Sequence, residues 1–132
     1  MITWNNLDTL TSFKELENVE RVDLVKAMAG ENGAEREKNY SVPMAEGLTY
    51  NYAAKQVDDK VLAALAKLAD EAQLTEKFEA LYNGEVINTG EKRLVLHHMT
   101  RGQLGEAVEA DGVEKRTFYT EQQAKIADFA NK

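Results

Sequence analysis

The chain has 132 residues, no cysteine, and a formal net charge of −7 from 16 Lys and Arg against 23 Asp and Glu. Without cysteine there is no disulfide framework, no thiol nucleophile and no Cys-ligated zinc. Its cations are scattered rather than striped, so an acidic chain of this kind is not expected to bind nucleic acid. The length suits a single domain, and 43% hydrophobic with 30% charged residues is the balance of a folded globular protein. The opening Met1-Ile2-Thr3-Trp4-Asn5-Asn6 lacks a basic region and a long apolar run. No later stretch reaches membrane-span length, so a cytoplasmic protein without a membrane partner is expected.

In chain order, residues 1–37 read as two short helices with loops. Ser12 and Glu15 have capping-box spacing, which turns Phe13 and Leu16 inward. Val22, Leu24, Val25 and Met28 give a second apolar face ended by Gly30 and Gly33, and Glu31–Lys38 reads as an exposed polar stretch. Tyr40–Met44 and Leu48–Tyr52 are β-rich runs around Ala45-Glu46-Gly47 and predict a hairpin, with Pro43 at an edge or strand end. Residues 58–73 are the clearest helix, capped by Asp58, with Leu62, Leu65, Ala66, Ala69 and Ala72 on one face and Val61 and Leu68 widening it. A second helix is expected over 75–83, capped by Thr75, with Phe78, Leu81 and Tyr82 buried. Ala110-Asp111-Gly112 reads as a tight turn. Thr120 and Gln123 form a capping box for a last helix carrying Ile126, Phe129 and Ala130.

Between these lies Asn83–Arg101. Asn83-Gly84 is a turn dipeptide. Asn88, with Glu91 three residues on, reads as the capped start of a helix over 90–101, and Leu94-Val95-Leu96 is apolar on every side and so expected to be enclosed. His97 and His98 follow. Neighbours on a helix point about 100° apart, so the two cannot share one metal in the i, i+4 manner, and no third histidine exists to complete a zinc site. His97 is expected to be packed beside Leu94 and Leu96, with His98 more exposed. A pairing of His97 with Glu91 or Glu85 for acid–base work is conceivable, yet so many carboxylates make such a pair inevitable by chance. Arg93 and Arg101 are expected in structural ion pairs. Gly30 and Gly33 do not link a buried strand to a helix and make no phosphate cradle. Trp4, Tyr50, Tyr52 and Tyr82 do not form a base-stacking series.

Gly84, Glu85, Ile87, Asn88, Glu91, Arg93, Val95, Leu96, His97 and Arg101 fall without a gap on a pattern of the glucose-6-phosphate isomerase family, Gly-Glu-Lys-Ile-Asn-x-Thr-Glu-x-Arg-x-Val-Leu-His-x-x-Leu-Arg. Val86, Gly90 and Thr100 depart from it. Tyr52-Ala53-Ala54-Lys55-Gln56 also resembles a Tyr-Ser-Lys-Asn-like sequence that follows a hairpin in that family. The chain thus resembles the N-terminal part of a protein several times longer.

The resemblance implies a parent enzyme that interconverts glucose 6-phosphate and fructose 6-phosphate in glycolysis and gluconeogenesis. It implies an enediol route with a Glu base, no metal or organic cofactor, and a homodimer as the usual assembly. The family's Gly-Ile-Gly-Gly-Ser-Asp-Leu-Gly stretch and its catalytic residues have no counterpart in this sequence. His97 matches a family position, but not the catalytic histidine. No catalytic, cofactor-binding or metal residue is therefore assigned.

The expected fold is mainly α: a single helical N-terminal domain over 1–132 with one or two short β-hairpins, whose partner is the remainder of the parent polypeptide. Ile126, Phe129, Phe118 and the side of the 91–101 helix near Met99 are the expected docking surface. A stand-alone acidic helical interaction module is the alternative, and a small hydrolase using His97 a weaker third.

Overall fold

The structure, a computed structural model, describes residues 1–102 and 105–132. Helices dominate, as expected, and among the described residues three two-stranded antiparallel hairpins accompany them, one more than the sequence suggested. The chain divides into two compact units, Asn5–Ala72 and a second made of Met1–Trp4 with Gln73–Lys132.

The first unit holds α1 (Thr11–Glu17), α2 (Leu24–Ala27), α3 (Gly30–Asn39), the hairpin of β1 (Ser41–Pro43) and β2 (Thr49–Asn51), and α4 (Asp59–Glu71). Asp58 caps α4 as expected, its carboxylate accepting the Val61 N–H at 2.9 Å. The buried face of α4 is rotated from the expected one. Ala64 is buried and Val61, Leu62, Leu68 and Ala69 are half-buried, while Leu65 and Ala66 face solvent. The helix is so rich in Ala and Leu that a helical period fits either face.

Ser12 does not form a capping box with Glu15. The free N–H groups at the start of α1 go instead to Glu71, at the far end of α4. Its carboxylate accepts from Ser12 N–H at 2.8 Å, from Thr11 N–H at 3.2 Å, and from the Ser12 hydroxyl. The Ser12 hydroxyl foremost, then the two backbone N–H groups, hold the Glu71 carboxyl below its ordinary range. A negative charge at the N-terminus of a helix is also where the helix dipole favours it. Glu15 is left to pair with Lys67 of α4 at 3.3 Å.

The stretch Glu31–Lys38, expected to be polar and exposed, is so apart from Gly33 and Arg36, and it lies inside α3. Glu, Arg and Lys are good helix formers, and Gly33 is needed for packing: a Cβ there would lie 2.4 Å from the Met28 carbonyl oxygen. The β1–β2 hairpin is as expected, with Ser41 opposite Asn51 and Pro43 opposite Thr49 at its end. Arg36, near the end of α3, is 7% exposed. Its Nε donates to the Ala53 carbonyl at 2.7 Å, and its Nη2 to the carbonyls of Lys55 at 2.9 Å and Val57. One side chain thereby fixes the loop between β2 and α4.

The second unit holds α5 (Leu74–Tyr82), the hairpin of β3 (Val86–Asn88) and β4 (Arg93–Leu94), a 3-10 turn His97–Thr100, the hairpin of β5 (Glu109–Ala110) and β6 (Val113–Glu114), and α6 (Lys115–Ala130). Thr75 does not cap α5. The residue before the helix is Gln73, left-handed at φ +54°, and its side-chain oxygen accepts from the Thr3 N–H at 2.8 Å and the Thr3 hydroxyl at 2.9 Å. Phe78, expected to be buried, is 59% exposed; Leu81 and Tyr82 are half-buried.

The helix expected over 90–101 is absent. The Asn88 side chain does accept the Glu91 N–H, at 3.2 Å, and donates to the Glu91 carboxylate at 3.3 Å. The same local chemistry that opens helices here closes a turn. Lys92 at φ +53° reverses the chain, and Val86 pairs with Leu94 and Asn88 with Arg93 across a bulge. Leu94, Val95 and Leu96 are half-buried. Met99, expected on an exposed side, is the large side chain that is 0% exposed.

The Asp111-Gly112 turn is as expected, with both residues at positive φ, +54° and +72°, the signature of a two-residue hairpin loop. Helix α6 begins five residues before the expected cap. Glu114 caps it, and the Thr120 hydroxyl donates inside the helix to the Arg116 carbonyl at 3.0 Å. No breaker separates Lys115 from Thr120, so the helix simply runs back to the first acidic cap.

Replacing Arg36 by Met should lower the unfolding free energy by about 3 kcal/mol, since one buried and two half-buried carbonyls lose a charged donor. Arg36→Lys should recover only part, because an ammonium cannot present the fork. Urea denaturation midpoints of the three proteins test this.

Candidate functional site

The two histidines exchange the roles expected of them. His97 is exposed in the 3-10 turn, where its carbonyl accepts the Thr100 hydroxyl at 2.8 Å. His98 is half-buried, stacked on Tyr82 with ring centroids 4.6 Å apart, and both its ring nitrogens are enclosed without a hydrogen-bond partner. Among the described residues no carboxylate bonds either ring. The expected acid–base pairing of His97 with Glu91 or Glu85 is not formed: Glu91 is held by Asn88 and lies 3.8 Å from Arg93 Nε. Arg93 is therefore in the surface ion pair expected of it. Arg101 is exposed, and no acidic side chain among the described residues pairs with it. No group of three or more metal-ligating side chains occurs among the described residues.

Two other constellations organise the units, and neither was singled out from the sequence. The first is an open polar cleft of about 490 Å³ beside Arg36, lined among others by Glu35, Tyr40, Tyr52 and Asp59. The Arg36 guanidinium lies 4.2 Å over the Tyr40 ring, whose edge meets Tyr52 at 5.4 Å. The Tyr40 hydroxyl donates to the Asp59 carboxylate at 3.1 Å. Burial first, and then that carboxylate, push the phenol above its ordinary value of 10.0. A tyrosine so shifted is a poorer base near neutrality, and Arg36 has already committed two of its nitrogens to backbone carbonyls. The cleft holds loops in place and presents no activated nucleophile.

The second is Glu114. Its carboxylate accepts from the N–H groups of Thr117 at 2.7 Å, Arg116 at 3.0 Å and Val108 at 3.2 Å. The Thr117 hydroxyl, followed by these backbone groups, pulls its carboxyl down to about 2. Beside it Arg116, 8% exposed, sends Nη2 to the Tyr82 carbonyl at 2.8 Å and Nε to the Glu106 carbonyl. Arg116 thus joins the end of α5 to the approach of β5. Glycine suits position 105, whose φ of +98° L side chains rarely adopt and where a Cβ would fall 2.8 Å from Arg116 Nη2. Short-range patterning does not reveal the role of Arg116, because its carbonyl partners lie 10 and 34 positions away.

A family model described as phosphoglucose isomerase matches residues 51–132. Among similar proteins, the glucose-6-phosphate isomerase of Treponema denticola is 50% identical over 132 residues, covering 96% of this chain and 25% of the relative. That of Treponema pallidum (strain Nichols) is 41% identical over 133 residues, 98% of this chain and 25% of the relative. That of Borreliella burgdorferi (strain B31) is 39% identical over 132 residues, 98% and 24% respectively. The chain spans about a quarter of the length of these relatives.

Glu114 sets an acid limit on stability. Its carboxyl is depressed in the folded chain, so the stabilisation is present above the ordinary value of 4.5 and is lost as pH falls from there towards about 2. Thermal melts should show this fall, and Glu114→Gln should flatten it while lowering the melting temperature at neutral pH. Excess zinc should leave the melting temperature of the unaltered chain unchanged, whereas a bound ion would raise it by linkage.

Proposed function

This chain belongs to the phosphoglucose isomerase family, and on that premise we propose that it is the N-terminal portion of a glucose-6-phosphate isomerase, serving there as a packing module. The parent would interconvert glucose 6-phosphate and fructose 6-phosphate. We assign no catalytic, cofactor-binding or metal residue to the chain. Moving a proton between sugar carbons needs a positioned base and a phosphate site, and we place both in the part of the parent that lies outside these residues. Residues 1–132 are then one N-terminal domain, its partner the rest of the polypeptide, in a homodimeric cytoplasmic enzyme. No helix among the described residues is long and apolar enough to cross a membrane.

The observation that carries the packing role is where the large apolar side chains lie. Among the described residues the buried apolar ones are Leu10, Ala53, Ala64, Ala72, Ala80, Met99 and Val108, and four of these are alanine. Meanwhile Ile126 is 67% and Phe129 81% exposed, with Phe118 also in solvent. Single exposed apolar residues are ordinary, but Ile126 and Phe129 lie on adjacent turns of α6 and recur on the same helix as Phe118. An inter-domain contact of roughly 600–1,500 Å² would cover such a surface.

Two measurements test the reading. The 132-residue chain should give no turnover of glucose 6-phosphate in a coupled assay, while the full-length polypeptide carrying it should be active. Turnover by the chain alone, abolished by His97→Ala, would overturn the assignment. The isolated chain should also self-associate at high concentration, and Phe129→Asp should weaken that association. Sedimentation of a strict monomer at millimolar concentration, without dye binding to apolar surface, would instead favour a self-contained interaction module.

A further inference from the structure

We infer that the pocket between α5 and the 3-10 turn His97–Thr100 is a second seam with the parent polypeptide, and that it receives an apolar side chain accompanied by a carboxylate. The inference rests on the proposed function and specifies the chemistry of one contact.

Phe78, Tyr82 and His98 form a run of three rings. Phe78 meets Tyr82 at 5.1 Å and Tyr82 meets His98 at 4.6 Å. Leu81, Arg101 and Gly102 complete the lining of a pocket of about 280 Å³. The outer ring, Phe78, is the most exposed of the three, at more than half its surface. Both nitrogens of His98 are enclosed and unpartnered, so the innermost ring is held by packing alone. The wall therefore recognises apolar shape.

Charge enters at the rim. The chain carries 23 Asp and Glu, and Arg93 and Lys115 of the same unit each sit within 3.8 Å of a carboxylate. Arg101, beside the pocket, has no such partner among the described residues. An exposed arginine next to stacked aromatic rings, in an otherwise acidic chain, is suited to an incoming carboxylate, which it can bind through two parallel N–H donors. Aromatic residues with arginine are also the combination in which binding energy concentrates at interfaces. The relatives are about four times longer than this chain, so the parent has ample polypeptide to supply the occupant. The exposed end of α6 carries Ile126 and Phe129 without an arginine, and its contact would be purely apolar.

The absence of cysteine makes the test direct, because Phe78→Cys introduces the sole thiol in these 132 residues. Its labelling rate by a maleimide is measured in the isolated chain and in the full-length polypeptide, with peptide mapping to locate the label and circular dichroism to check folding. Isomerase activity of the unaltered full-length protein is recorded alongside. Labelling should be fast in the chain and at least about tenfold slower in the full-length protein, where docking limits access. Arg101→Glu should lower the melting temperature of the full-length protein by about 2–4 °C or more and leave that of the chain within about a degree. Fast labelling in both, with an active full-length protein, overturns the seam and leaves the proposed function standing. Slow labelling in both also overturns it. An inactive full-length protein overturns the proposed function, and the seam with it.

Discussion

Each of the two compact units is built around one arginine buried without a carboxylate. Arg36 and Arg116 spend their charge on backbone carbonyls, at Ala53, Lys55 and Val57 in one unit and at Glu106 and Tyr82 in the other. A buried guanidinium is costly unless its donors are satisfied, and carbonyls left facing a dry interior are costly too. Each cost offsets the other, though not fully at Arg116, whose Nη1 is buried without a hydrogen-bond partner. The β2–α4 loop and the approach to β5 are therefore held by hydrogen bonds more than by apolar burial. That division of labour suits a chain in which four of the seven buried apolar residues among those described are alanine, since an alanine removes little area from water.

Several local features were legible in the sequence because their partners are close in it. The Asp111-Gly112 turn, the hairpin around Ala45-Glu46-Gly47 and the Asp58 cap all depend on residues within a few positions of one another, and all are present. The Asn88–Glu91 bond was legible too, but its consequence was not, because one side chain holding an N–H three residues on serves a turn as well as a helix. Reading a helix there moved Met99 outward and exchanged His97 with His98. Glu71, Arg36 and Arg116 act across the chain, and no period or motif marks them, whereas Glu114 is a local cap that was passed over in favour of Thr120. The mainly α class and the family resemblance did not depend on those placements, because composition and an ungapped residue pattern are independent of how the segment folds.

Glu71 and Glu114 solve the same problem at different ranges. Each uses one carboxylate to occupy several free N–H groups at the start of a helix. Glu114 does so for its own helix, and Glu71 does so for α1 from the opposite end of α4. The first fixes where α6 begins. The second makes the start of α1 dependent on α4, so that a local terminus becomes a long-range contact. This is why the Ser12–Glu15 spacing, a plausible cap taken alone, is not used.

The Gln73 side chain has a consequence for the order of assembly. By binding Thr3 it assigns the first residues of the chain to the unit that otherwise begins at Gln73. The unit Asn5–Ala72 is thus continuous in sequence, and the other is interrupted by it. During synthesis a continuous unit can fold as soon as it clears the ribosome. Met1–Trp4 must wait for some seventy further residues to be made before their partner exists. Met1–Trp4 is in this sense placed later than the unit that follows it in sequence, and a ribosome stalled before Gln73 would hold Asn5–Ala72 with that segment still untethered.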